Sequence, residues 1–166
     1  MARFAVVAAT VTLVLGAVAP TRAADPAAPP PNYAAFMLGT TVAYRPPGGP
    51  WDGFQSDLSP MAGYGRYVTK RVALELDLGP TFVKGHYSSL VLVPGVVWIF
   101  SPHAYVAARF LVPLDPETNF GLFPGVGGFR TWGRYSPYLE LNLASYVGRG
   151  DPDFGVSLTA GVLIAF

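Results

Sequence analysis

Between Arg71 and Leu78 the chain reads RVALELDL, so Val72, Leu74, Leu76 and Leu78 alternate with Arg71, Ala73, Glu75 and Asp77. A period of two places successive side chains on opposite faces of a strand, whereas a helix repeats its apolar positions every three or four residues. The alternation returns from Tyr138 to Val147, where Leu139, Leu141, Leu143 and Val147 oppose Tyr138, Glu140, Asn142 and Tyr146. It returns again over 153–166: Phe154, Val156, Leu158, Ala160, Val162, Ile164 and Phe166 oppose mostly small or polar residues, Leu163 being the exception. Weaker versions occupy Tyr33–Tyr44, Met61–Val68, Leu90–Phe100, Tyr105–Val112 and Phe120–Phe129. The pattern predicts an all-β chain of eight strands. No later apolar stretch reaches the ~18 residues of an ordinary transmembrane helix, so any crossing of a bilayer falls to strands.

What wets the apolar faces is a question for composition. Hydrophobic residues make up 51% of the 166 positions and charged residues only 13%, about half the charge of an ordinary soluble domain. Leu90–Phe100 and Phe154–Phe166 carry no charge on either face. A medium other than water is expected over much of the surface. Eleven basic against ten acidic residues give no excess with which to neutralise phosphates, which excludes the nucleic-acid-binding classes. With no cysteine there is no disulfide framework, thiolate zinc site or Cys nucleophile. His86 and His103, far apart in sequence, make a poor metal site, and neither a metal nor another cofactor is expected.

The N-terminus reads as an export signal. Arg3 supplies a positive n-region, Phe4–Val18 an uncharged apolar run, and Thr21-Arg22-Ala23 the small residues of a cleavage site. Three segments are therefore expected: a signal peptide over 1–23, a Pro/Ala-rich tether over 24–31 (ADPAAPPP) and a barrel over 32–166. Cleavage removes Arg3 and Arg22, leaving nine basic side chains against ten acidic, a net charge of −1.

Turn chemistry sorts the connections by length. Those near Thr69-Lys70, Ser101-Pro102 and 133–137 are short to medium, whereas 45–57, 84–89, 113–119 and 148–152 are mostly longer and rich in Gly, Pro and Asp. Short and long connections alternate, as in membrane barrels with tight turns on one side and longer loops on the other. Tyr67, Trp98, Phe100, Trp132 and Tyr135 fall near the short turns and form one candidate aromatic belt. Tyr44, Trp51, Phe82, Tyr87, Phe110, Phe120 and Phe154 fall near the other end. Pro60, Pro94 and Pro124 interrupt strands, and bulges or strand starts are expected to accommodate them.

The leader, the eight alternating segments and the terminal GVSLTAGVLIAF together resemble the small bacterial outer-membrane barrels of the OmpA/OmpX type. The resemblance spans the chain after the leader and implies an eight-stranded antiparallel up-and-down transmembrane β-barrel in the outer membrane, probed by outer-membrane lipids on its outside and expected to be monomeric. It further implies that Leu158, Ala160, Val162, Ile164 and Phe166 form a C-terminal insertion signal read by the outer-membrane barrel assembly machinery.

If lipid meets the apolar faces, Arg66, Glu75, Asp77, Arg109 and Glu140 are left inside, together with Tyr64, Tyr138, Asn142 and Tyr146. Eight strands enclose only enough room for side chains, so the charges must pair with one another. The expected role is structural or surface-interacting. Three alternatives stand beside it: a narrow pore gated by exchanging ion pairs, a lipid-modifying surface enzyme, and a soluble lipocalin-like barrel with the faces reversed. For the enzyme, His86-Tyr87-Ser88 lacks an evident carboxylate partner, so no catalytic residue is assigned. Arg149-Gly150-Asp151 matches a short adhesion motif but is also ordinary turn composition.

Overall fold

A computed structural model describes residues 31–46, 48–53, 58–83, 86–114, 120–147 and 153–166. The expected signal peptide, all but the last residue of the tether, and Arg149-Gly150-Asp151 lie outside the described residues.

The strands are β1 (Asn32–Arg45), β2 (Leu58–Tyr67), β3 (Val72–Val83), β4 (His86–Ser101), β5 (Ala104–Pro113), β6 (Phe120–Leu122), β7 (Gly125–Phe129), β8 (Tyr135–Val147) and β9 (Asp153–Ala165). Each pairs antiparallel with its neighbours, and β6 and β7 both lie between β5 and β8. The β1–β9 ladder, from Tyr33↔Ala165 to Arg45↔Phe154, closes the sheet on itself. The result is a closed eight-stranded antiparallel barrel, with β6 and β7 forming one stave. The turns β2–β3, β4–β5 and β7–β8 and both described chain ends share one rim, the short-turn end.

The predicted phase holds along β3, β8 and β9. Glu75, Asp77, Tyr138, Glu140, Asn142 and Thr159 are buried, while Leu74, Leu139, Leu141, Leu143 and Leu158 are exposed. Leu163 follows the same alternation and packs against the interior. At the strand junctions the inward side chains stack in three layers. Nearest the short turns, Tyr33, Ala73, Val97, Tyr105, Ala107 and Tyr138 form an aromatic-rich cluster joined by partly buried Tyr67, Phe129 and Leu163. The charged residues lie in the middle. Towards the long loops, Val91, Val93, Leu111 and Ala144 pack with Met61 and Phe123.

Of the two accommodations expected for the prolines, neither Pro94 nor Pro124 takes the bulge, and Pro124 directly precedes the start of β7. Ala107↔Gly125 and Phe110↔Leu122 belong to one unbroken register, so the stave keeps its phase across Phe123-Pro124. Phe123 donates its N–H to Arg109 O at 2.8 Å, and Pro124 O accepts from Leu143 N at 2.9 Å. The gap between β6 and β7 contains the donor that proline lacks, while its carbonyl still serves the ladder. Pro94 likewise sits in register opposite Leu76. Register shifts occur instead at Thr41/Ala43, Thr81/Phe82 and Ile99/Ser101.

Large inward rings fit because glycines stand beside them on the next strand. Tyr33 is paired with Gly65, Tyr105 with Gly127 and Tyr138 with Gly161. A Cβ on Gly127 would come 2.5 Å from the Tyr105 ring, and one on Gly161 would come 2.7 Å from the Tyr138 ring. Gly127→Val should therefore lower folding stability by about 1–3 kcal/mol through overpacking. Gly128→Ala, which meets nothing closer than His103 O at 3.5 Å, should change it by less than about 0.5 kcal/mol. Urea titration of the folded fraction would compare the two.

Candidate functional site in the barrel interior

Arg109 on β5 projects into the middle of the barrel, between two carboxylates on β3 and one on β8. Its Nε donates to Glu75 Oε2 at 2.8 Å, its Nη1 to Glu140 Oε1 at 2.6 Å and its Nη2 to Glu140 Oε2 at 3.1 Å. Nη2 also stands 2.7 Å from Glu75 Oε2, and Nε stands 3.8 Å from Asp77 Oδ2. One planar cation thus takes a two-point hold on Glu140 and a second hold on Glu75, the geometry that favours arginine over lysine. Tyr33 Oη donates to Glu75 Oε1 at 3.1 Å, and Asn142 Nδ2 donates to Thr159 Oγ1 at 3.1 Å. Asp77 Oδ1 and Asn142 Oδ1 are buried without a hydrogen-bond partner. Desolvated charges are costly unless paired, and Asp77 is the least well served of the four.

Local sequence explains the placement. Glu75 and Asp77 are two apart on β3 and therefore share a face. In the register, Gly63 stands opposite Asp77 and Gly65 opposite Glu75, while Gly95 stands opposite Arg109. A Cβ at Gly63 would collide with the Asp77 carboxylate, and one at Gly95 with the Arg109 side chain. These glycines make room for the charged layer. Nothing in the pattern was read for them, although the alternate spacing of Gly63 and Gly65 in GYGRY marked the inward face of β2.

Glu75, Asp77, Arg109 and Glu140 are brought together, but Arg66 is not with them. It is exposed near the end of β2, on the same side of the strand as Tyr64, whose hydroxyl donates to Asn32 Oδ1 at 2.7 Å. Both were expected inside. At a strand end a long arginine can reach water while its stem covers apolar surface, so its outward position costs little. Tyr67 makes the opposite correction: it was expected in the outer belt but turns inward, with its ring centroid 5.5 Å from that of Tyr33. Trp98, Phe100, Trp132 and Tyr135 are exposed around the short-turn end. Leu158, Ala160, Val162, Ile164 and Phe166 share the outward side of the last strand and the residue after it, with Leu158, Ala160 and Phe166 exposed and Val162 and Ile164 partly so.

A cavity of ≈ 60 Å³ extends from Thr131 and Ser136 to Glu75 and Arg109, lined on the way by Tyr33, Tyr67, Tyr105 and Tyr138. It is large enough to admit water. Beyond Arg109 the apolar layer of Val91, Val93, Leu111 and Phe123 takes over. His86 and Tyr87 are exposed at the long-loop end of β4, the Ser88 side chain is not among those described, and Glu75 and Glu140 are engaged by Arg109. No group of three or more His, Cys, Asp or Glu placed to hold a metal occurs among the described residues.

No protein-family model matches the sequence, and no curated protein matches it. Among solved structures, one described as "De novo design of transmembrane beta-barrels" aligns with a TM-score of 0.54 at 11% identity, covering 83% of this chain and 97% of that one. At that identity the likeness concerns the fold alone, and it is the fold of a transmembrane β-barrel.

Arg109→Leu should destabilise the barrel by about 3–5 kcal/mol, because three buried carboxylates lose the one cation that pairs with them among the described residues. Asp77→Asn should cost far less than Glu140→Gln, since Asp77 stands 3.8 Å from Arg109 whereas Glu140 is held at 2.6 Å. Denaturant midpoints of the three variants would establish the order.

Proposed function

We propose that this protein is an integral outer-membrane β-barrel whose interior is filled by its own side chains and whose role is structural or surface-interacting. The observation that carries this reading is the inversion of its faces. Leu38, Phe110, Leu139 and Phe120, between 53% and 66% exposed, point outward, while Arg109, Glu75, Asp77 and Glu140 are 2–7% exposed inside. Monomeric soluble proteins rarely expose contiguous apolar surface on this scale. A lipocalin-like barrel would present the opposite arrangement, polar to water and apolar to a cavity. Seven of the eight staves, β1 to β5, β8 and β9, are single strands of 10–16 residues, which meets the ~9–11 residues a tilted strand needs to span a bilayer.

In this reading the short turns and both described chain ends face the periplasm, and the long loops face outward from the cell. Export through a cleavable leader, insertion by the assembly machinery through the strand ending in Phe166, and a monomeric state complete the proposal. Catalysis is not part of it: neither interior glutamate is free to serve His86, whose exposed position at the long-loop end is that of a solvated residue. The pore alternative receives less support than closure, because the cavity from the short-turn end meets the apolar layer beyond Arg109.

Subcellular fractionation combined with protease treatment of intact cells tests compartment and topology together. The protein should sediment with outer membranes and be cut only in its long loops. After refolding in detergent or lipid, unboiled protein should migrate differently from boiled protein on a gel. Leader-free protein that stays dispersed in detergent-free buffer, with no such difference, would overturn the reading. Leu141→Arg adds a quantitative test, since Leu141 lies mid-strand between Val126 and Leu158. It should cost about 2–4 kcal/mol of folding into a bilayer, and a soluble barrel would tolerate it. Planar-bilayer recordings should show no steady conductance.

A further inference from the structure

Once the interior cluster is set aside, the charges of the barrel are divided by end. Around the short turns the described residues include Arg66, Lys70, Arg71, Arg130 and Arg134, all exposed. Residues 31–33, 64–73, 98–105, 129–138 and 163–166, which make up that end, contain no aspartate or glutamate. The acidic residues of the connections fall at the other end of the strands: Asp52 and Asp57 between β1 and β2, Asp115 and Glu117 between β5 and β6, and Asp151 and Asp153 at the β8–β9 connection. Arg45, Lys84 and Arg149 are the only basic residues beside them. The near-zero net charge therefore conceals a cationic rim at the short turns and a surplus of acidic residues in the sequence of the longer connections.

The cationic rim is also the aromatic one. The Arg130 guanidinium carbon lies 5.7 Å from the Trp132 ring centroid, and that of Arg134 lies 5.4 Å from the Tyr135 centroid. Both rings are exposed. A ring attracts the guanidinium beside it while the remaining N–H groups stay available to anionic oxygens, Arg134 Nη2 donating to Tyr135 Oη at 3.3 Å. Trp and Tyr favour the headgroup level of a bilayer, and arginine and lysine beside them lie where lipid phosphates do. Lys70 and Arg71 occupy the β2–β3 turn and Arg130 and Arg134 the β7–β8 turn, so the cations are spread around the rim and not confined to one side.

We propose that the short-turn rim is a collar for anionic phospholipid headgroups, formed by Arg66, Lys70, Arg71, Arg130 and Arg134 with Trp132 and Tyr135. This rests on the membrane reading above and adds to it a lipid class and a leaflet: the collar meets the leaflet in contact with the short turns, while the acidic loop end does not hold such lipids. Among the described residues the rim offers these cations no aspartate or glutamate side chain, and a bilayer surface bearing negative headgroups supplies that charge without a protein partner.

The test is electron spin resonance of spin-labelled lipids around the full-length folded barrel in phosphatidylcholine vesicles. Spin-labelled phosphatidylglycerol should associate about fivefold more strongly than spin-labelled phosphatidylcholine at low salt, as one well-placed surface cation provides. The preference should fall towards one in 0.5 M NaCl, roughly where the screening length shrinks to a few ångströms. Two variants of equal net charge separate the collar from overall charge. Lys70→Gln/Arg130→Gln/Arg134→Gln, which leaves Arg66 and Arg71, should at least halve the preference, and Arg45→Gln/Lys84→Gln/Arg149→Gln should preserve it. Equal association of the two lipids with the unmodified protein, or equal loss in both variants, overturns the collar. Absence of any motionally restricted lipid, together with no heat-dependent gel shift, would instead overturn the membrane reading on which it rests.

Discussion

Closure of the β1–β9 ladder is the constraint from which the other features follow. An open sheet leaves a row of unpaired N–H and C=O groups along each edge, which is tolerable in water and prohibitive in hydrocarbon. Joining the first strand to the last removes the edges, but it also fixes the size of the interior. Eight staves enclose a space that side chains can fill and little more. Every inward position must then be matched for volume with its neighbours, and every inward charge must find its counter-charge within the same narrow space.

The three interior layers meet those demands in different ways. Near the short turns, tyrosine rings lie over glycines on the adjacent strand, which supplies volume with a polar tip; the Tyr33 hydroxyl spends its tip on Glu75. In the middle, Arg109 satisfies Glu75 and Glu140 with its fork of donors and leaves Asp77 at arm's length. Towards the long loops, aliphatic packing needs no partner at all. A buried ion pair is weak evidence for net stability, because desolvation offsets much of the Coulombic gain. Its clearer consequence here is register: slipping β3 by one residue would send Glu75 and Asp77 to the apolar exterior, so the charged layer penalises misalignment heavily.

The sequence made the fold class readable because period-two alternation on β3, β8 and β9 is long and carries polar residues of one kind on one side. It was less informative on β2, where LSPMAGYGRY offers glycine at two of the five inward positions. A glycine has no side chain with which to declare a face, so Arg66 and Tyr67 were assigned from residue type: charge inside, turn-proximal tyrosine outside. Both were reversed by phase. The register shows what would have corrected them, since Asp77 and Glu75 need empty positions opposite and find them at Gly63 and Gly65. The prolines left two accommodations open, a bulge or a strand start, and sequence alone did not choose between them. A ladder can lose one N–H at Pro124 and keep its alignment when the flanking groups, Phe123 N and Pro124 O, still bond across.

A net charge near zero usually suggests that electrostatics has little to contribute, and in this chain that inference fails. The charges are sorted by environment: one arginine among three carboxylates in the interior, basic residues at one rim and a mixed but predominantly acidic set in the connections at the other. Sorting of this kind has no use in a uniformly solvated protein, where rims and walls see the same water. It becomes informative when the wall is excluded from water and each rim meets a different polar surface, because a charge then gains or loses free energy according to the end at which it sits. The scarcity of charge on the outward strand positions among the described residues, where Arg45 and Arg66 stand at or near strand ends, and the segregation of charge between the rims are therefore two expressions of one arrangement, an apolar wall between two unlike polar surfaces.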